Sequence, residues 1–133
     1  MKTKSLLFIL LSPLLLLAEP FTIRKLSMQQ GLSNSNIVGI SQDRQGYMWF
    51  ATESGLNRFD GHNFRVYRKN FPTSNSINSN ELNQVLADKT DDIIWIATQR
   101  TGLNAFNTKT EKFTYFLSDQ KNPKSIVTND VMY

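Results

Sequence analysis

Tyr47-Met48-Trp49-Phe50-Ala51-Thr52-Glu53-Ser54-Gly55-Leu56-Asn57-Arg58-Phe59 has a second version in the same chain, Ile93-Ile94-Trp95-Ile96-Ala97-Thr98-Gln99-Arg100-Thr101-Gly102-Leu103-Asn104-Ala105-Phe106. Each version runs through a Trp, an apolar residue, Ala-Thr, a short polar insert, Gly-Leu-Asn, one further residue and a Phe. The Trp residues stand 46 positions apart, a spacing typical of stacked or circular repeat architectures. The match extends outward on both sides. Leu32, Asn36, Ile37, Ile40 and Asp43 correspond to Ile77, Glu81, Leu82, Val85 and Asp88, each 45 later. Phe64 and Tyr67 correspond to Phe113 and Phe116, each 49 later. The drift comes from insertions at turn positions, where repeats diverge while their core positions hold.

Within each unit, runs of four to six residues alternate with turn residues, which predicts a four-stranded antiparallel meander. The first unit gives strands at Ile37–Gln42, Tyr47–Thr52, Leu56–Asp60 and Phe64–Arg68; the second gives Leu82–Ala87, Ile93–Thr98, Leu103–Asn107 and Phe113–Leu117. Alternate residues of a strand face opposite ways. In Tyr47–Thr52 and Ile93–Thr98 both sets are apolar or small. A sheet wet on one side would alternate apolar with polar, so these sheets need cover on both sides. Radial stacking of similar sheets supplies it, and that architecture is the β-propeller. The fold expected is therefore all-β, an incomplete β-propeller. It comprises blade 1 at about 32–68, blade 2 at about 77–117 and the start of a third at 126–133, where Ile126-Val127-Thr128-Asn129-Asp130-Val131 repeats Ile77-Asn78-Ser79-Asn80-Glu81-Leu82. Phe21–Leu26 reads as an N-terminal closing strand, matching the end of a unit rather than its beginning. Two blades leave two apolar faces uncovered, with open sheet edges.

The chain has 133 residues and a net charge of +4. Lys2 and Lys4 precede an apolar stretch, Leu6–Ala18, that contains Pro13 and ends on a small residue. This is a secretory signal peptide pattern, assigned to residues 1–18, and the stretch is short for a membrane span of roughly 20 residues. An uncleaved anchor is the alternative. The remaining charge forms no run, so no nucleic-acid partner is expected. With no Cys, the chain gains no disulfide and carries no Cys-linked lipid.

Trp49, Trp95, Leu56 and Leu103 read as core of the structural repeat rather than as a sugar-stacking platform. Asp43 and Asp88 open turns, where Asp accepts backbone N–H bonds, and this outweighs an acid/base role. Gly55 and Gly102 are turn glycines, since no helix pattern follows them as a phosphate loop requires. His62, the single His, lies in a Gly-His-Asn turn and reads as surface. No catalytic, cofactor-binding or metal residues are assigned. Arg58, Arg100 and Asn57 are rim positions where a ligand could be met.

The units resemble the two-component regulator propeller repeat. Ile37, Ile40, Asp43, Gly46, Trp49, Thr52, Gly55, Leu56 and Phe59 carry the likeness in the first, and Leu82, Val85, Asp88, Trp95, Ile96, Thr98, Gly102, Leu103 and Phe106 in the second. Ala51 and Ala97 replace a usual Gly, and Asp92 a turn Gly. The resemblance implies the periplasmic sensor region of a hybrid two-component system, here an N-terminal fragment over about 21–133. It would respond to a glycan fragment and act with the remaining propeller blades and kinase region of a full-length protein, with a homodimer possible. The rival expectations are a piece of a secreted propeller enzyme such as a polysaccharide lyase, or a truncated, non-functional gene product.

Overall fold

The computed structural model describes residues 22–70 and 75–132. The expected signal peptide lies outside these. Eight strands run in order: β1 (Ile37–Gln42), β2 (Met48–Thr52), β3 (Gly55–Phe59), β4 (Phe64–Tyr67), β5 (Leu82–Ala87), β6 (Ile93–Thr98), β7 (Leu103–Asn107) and β8 (Lys112–Phe116). They form two four-stranded sheets, ordered β1-β2-β3-β4 and β5-β6-β7-β8, with every neighbouring pair antiparallel. Both sheets carry a register shift at the same place in their first strand, between Ile37 and Gly39 and between Leu82 and Gln84. The architecture is the all-β, propeller-type arrangement that the repeat calls for.

Register decides which side chains share a face. In the first sheet Ala51 opposes Leu56, and Leu56 opposes Tyr67, so these lie on one side with Trp49. In the second, Val85 opposes Ile96, Ile94 opposes Phe106, and Phe106 opposes Phe113. These two faces meet as one apolar layer, closed at its end by Ile77 from the connector. Trp49, Ala51, Leu56, Ile77, Leu82 and Ile96 are fully buried there. The rings of Trp49 and Phe106 lie 5.8 Å apart, and Tyr67 and Phe106 lie 5.0 Å apart. Each large apolar side chain buried this way contributes about 1.5–3 kcal/mol. Ion pairs across the junction are Arg44 to Asp92 at 2.9 Å and the bidentate pair Arg65–Glu111. Exposed ion pairs of this kind contribute about 0–1 kcal/mol, so the apolar layer holds the sheets together and the charges set their alignment.

Gly39 is part of that fit. A Cβ there would lie 2.0 Å from Gln84 Oε1 and 3.0 Å from the Val85 backbone nitrogen. The first strands of the two sheets therefore approach closely because one carries no side chain at this point.

The opposite face of the first sheet carries Met48, Phe50, Phe59 and Phe64, covered by Leu26 and Leu32 from the N-terminal segment. Here the structure departs from the sequence reading. Thr22–Leu26 is not a strand, and Phe21 lies outside the described residues. Among the described residues the segment has no neighbouring strand to complete a ladder. It nevertheless keeps the place of an outer strand. Arg24, 43 positions before Tyr67, lies 5.7 Å over the Phe59 ring, as Tyr67 lies against Phe106. Residues 126–132 likewise form no strand, yet Gly102 N–H donates to Asn129 O at 2.8 Å, as Gly55 N–H donates to Asn80 O at 2.9 Å. Trp95 differs from Trp49: it is half-buried, on a face that no sheet covers among the described residues.

Candidate functional site

Asp43 and Asp88 each perform two tasks. Asp43 Oδ1 accepts the backbone N–H groups of Gln45 and Tyr47, both at 3.0 Å, which closes the β1–β2 turn. Its Oδ2 accepts Trp49 Nε1–H at 2.7 Å. Asp88 Oδ1 accepts from the N–H groups of Thr90 and Asp91 and from the Thr90 hydroxyl, while Oδ2 receives Trp95 Nε1–H at 3.4 Å. Donation from the Thr90 and Asp91 backbone holds the Asp88 carboxyl far below the usual carboxylate range. The sequence reading gives turn capping but misses the indole. The signal was an Asp standing six or seven residues ahead of each Trp, across the first turn of each unit.

The Gly-Leu-Asn element builds a second recurring polar centre. Asn57 is fully buried; its Oδ1 accepts Ser33 N–H at 2.8 Å and its Nδ2 donates to Ser33 Oγ at 2.8 Å. The Ser33 and Thr52 hydroxyls are also bonded at 2.8 Å. In the second unit Asn104, Asn78, Thr98 and Thr101 form the matching knot. Asn57 is therefore not a rim ligand contact. It ties the segment entering a blade to the middle of that blade, because a buried amide needs partners for both its donors and its acceptor. Gly55 and Gly102 complete this end of the sheet. Both have positive φ, at 118° and 82°, and a Cβ on Gly55 would lie 2.6 Å from Tyr67 O. No L side chain fits there without strain.

The remaining chemistry lies at the two ends of the sheets. At the end with the β1–β2 and β3–β4 turns, Lys109, Gln45 and Arg44 converge on Asp92 and hold its carboxyl down to about 2. His62 is exposed in the β3–β4 turn, its backbone N–H donating to Asp60. Arg58 packs 4.6 Å over the Tyr47 ring. At the other end, Arg100 is exposed in the β6–β7 turn, and Ser35, Asn36 and Glu81 are exposed in the segments that enter each blade. Among the described residues no group of three or more His, Cys, Asp or Glu side chains converges to hold a metal ion.

The indole bonds set a measurable asymmetry. Asp43→Asn presents an NH2 where Trp49 Nε1–H needs an acceptor, and this is expected to cost about 1–3 kcal/mol, the penalty of a buried unpaired donor. Asp88→Asn meets a half-exposed indole across a longer bond, so its Trp95 is free to find water. Urea unfolding of the two variants should place the Asp43→Asn midpoint below the Asp88→Asn midpoint, and the reverse order contradicts the assignment.

Comparison with known proteins gives the same picture. Residues 31–54 match the family model described as the two component regulator propeller. A histidine kinase of Formosa agariphila, Histidine kinase P4, is 44% identical over 57 residues, which is 43% of this chain and 4% of the relative. A crystal structure described as the extracellular domain of a hybrid two-component system from B. thetaiotaomicron superposes with a TM-score of 0.78 at 47% identity, covering 86% of this chain and 16% of that one. The chain thus spans a small part of either relative. With the matched residues running from the entry segment through the Asp–Trp turn of the first sheet, and the second sheet built on the same plan, this chain carries the two-component regulator propeller repeat.

Proposed function

We propose that the chain is the extracytoplasmic, ligand-sensing propeller portion of a hybrid two-component sensor, responding to a glycan fragment and not itself catalytic. The observation that carries this reading is the 47% identity, over 86% of the chain, to an extracellular domain of such a system. The Lys2, Lys4 and Leu6–Ala18 pattern supports export to the periplasm. The carboxylates support a binding role. Asp43 and Asp88 are occupied by turns and indoles, Asp92 by three side chains and Glu111 by Arg65. Exposed hydroxyl, amide, carboxylate and guanidinium groups of Ser35, Asn36, Glu81 and Arg100 offer donors and acceptors suited to a polyhydroxylated ligand. Relay of the signal falls to the remaining blades and kinase region of a longer protein.

Two measurements test the reading. Alkaline phosphatase fused after Tyr133 should be active in a Gram-negative host and inactive when residues 1–20 are deleted. Activity indifferent to that deletion contradicts export. On an oligosaccharide array, the folded chain should retain at least one saccharide, with retention lowered by the Glu81→Ala/Arg100→Ala pair. A folded chain that retains none removes the glycan assignment.

A further inference from the structure

Arg58 on β3 stands directly opposite Arg65 on β4, and Trp49 on β2 completes the row. The row lies on the face of the first sheet that meets the second. Like charges in this register repel, and one carboxylate answers the pair: Glu111, in the β7–β8 turn, takes both of its bonds from Arg65. Arg58 is half-buried, lies 4.6 Å over the Tyr47 ring and has no hydrogen bond or ion pair among the described residues. The neighbouring carboxylates are engaged elsewhere. Asp60 accepts the His62 and Asn63 N–H groups of its own turn, and Asp92 is held by Lys109, Gln45 and Arg44. A second polar group beside the pair is also unanswered. The Tyr67 hydroxyl is buried without a hydrogen-bond partner among the described residues, a rare condition for a buried polar atom. Arg65 lies 5.0 Å over the Tyr67 ring. Burial pushes the phenol pKa up while the charges of Arg58 and Arg65 pull against it, so the hydroxyl is a neutral donor within electrostatic reach of both guanidinium groups.

We propose that Arg58, Arg65 and the Tyr67 hydroxyl form a binding site for an oxyanion, a carboxylate or sulfate group, in the crevice between the two sheets. A guanidinium presents a planar fork of N–H donors that matches two oxygens of such a group. Arg58 has its whole fork to give, and Arg65 keeps donors beyond those that Glu111 takes. Stacking on Tyr47 holds the Arg58 plane in place before any anion arrives. Apart from Glu111 the set consists of donors, with two cations against one carboxylate, so it selects an anion over a neutral polyol. Both walls of the crevice, β2–β4 and the β7–β8 turn, belong to this chain. The site lies towards the opposite end of the sheets from Ser35, Asn36, Glu81 and Arg100, and it does not rest on the saccharide reading.

Titration with acetate, sulfate and glucuronate, at an ionic strength held constant with chloride, tests this by heteronuclear NMR. The Arg58 Nε–H resonance is assigned by its loss in Arg58→Gln, and the Trp49 indole N–H serves as the reporter shared by all variants. The wild-type chain should show saturable shifts of both signals. Arg58→Gln should weaken binding about tenfold or more, the worth of a hydrogen bond to a charged group. Tyr67→Phe should weaken it about two- to tenfold, while the ligand-free variant melts no lower than wild type, since it removes a hydroxyl that has no partner to lose. Glucuronate binding about tenfold tighter than acetate assigns the anion to an acidic sugar, and equal affinities assign it to a free oxyanion; either result supports the site. Shifts that rise linearly and are matched by chloride, affinity indifferent to Arg58→Gln, or a Tyr67→Phe chain that binds as wild type does would each overturn the proposal. Far-UV circular dichroism checks the fold; if Arg58→Gln loses strand signal, Arg58→Lys, which keeps the charge without the fork, replaces it under the same criterion.

Discussion

A β-sheet that is apolar on both faces cannot rest in water on either, and the rest of this structure follows from that constraint. The first sheet meets it on one side with the second sheet and on the other with Leu26 and Leu32. Trp49 lies at the centre of the shared layer, stacked with Tyr67 at 5.8 Å and anchored through its indole N–H to Asp43. The indole is both the largest fully buried side chain and the one whose single polar atom is fixed to a turn. One bond therefore couples the packing of a blade to the shape of its rim.

Much of this was legible in the chain. The eight strands expected for the two blades are all present to within one residue at each end, because turn residues and the break in apolar runs mark the same boundaries that backbone pairing does. The double-sided apolar character of Met48–Thr52 and Ile93–Thr98 was enough to require stacked sheets. What the sequence did not show was partnership. Asn57 and Asn104 read as polar strand residues that could meet ligand at a rim, yet both are buried, because Ser33 and Asn78 arrive from the preceding segment to bond them. The closing segment at Thr22–Leu26 has strand composition without strand pairing, since a ladder is a property of two chains and composition describes one. The two Trp residues are identical in their motifs and opposite in their surroundings, because burial depends on whether a next sheet is present.

The site is accordingly a surface of loops held by a rigid interior, which is the usual division of labour in repeat architectures. The repeat fixes its invariant parts, the Asp–Trp turn and the Thr–Asn knot, inside or at the base of the turns. Ser35, Asn36, Glu81 and Arg100 are exposed, and the residues at equivalent places differ between the units, as the proposed recognition role requires. The junction's charge pairs differ in the same way. Arg44–Asp92 and Arg65–Glu111 add charge contacts to the rim of this junction, while the apolar layer supplies the adhesion.

The account stands on the difference between two tryptophans of the same repeat. Acrylamide quenching of Trp95→Phe and Trp49→Phe chains, at concentrations where both are monomeric, measures it directly. Trp49 as the remaining emitter should be blue-shifted and nearly inaccessible to the quencher, and Trp95 red-shifted and readily quenched. Equal quenching of the two, or the reverse order, would contradict the stacked-sheet interior.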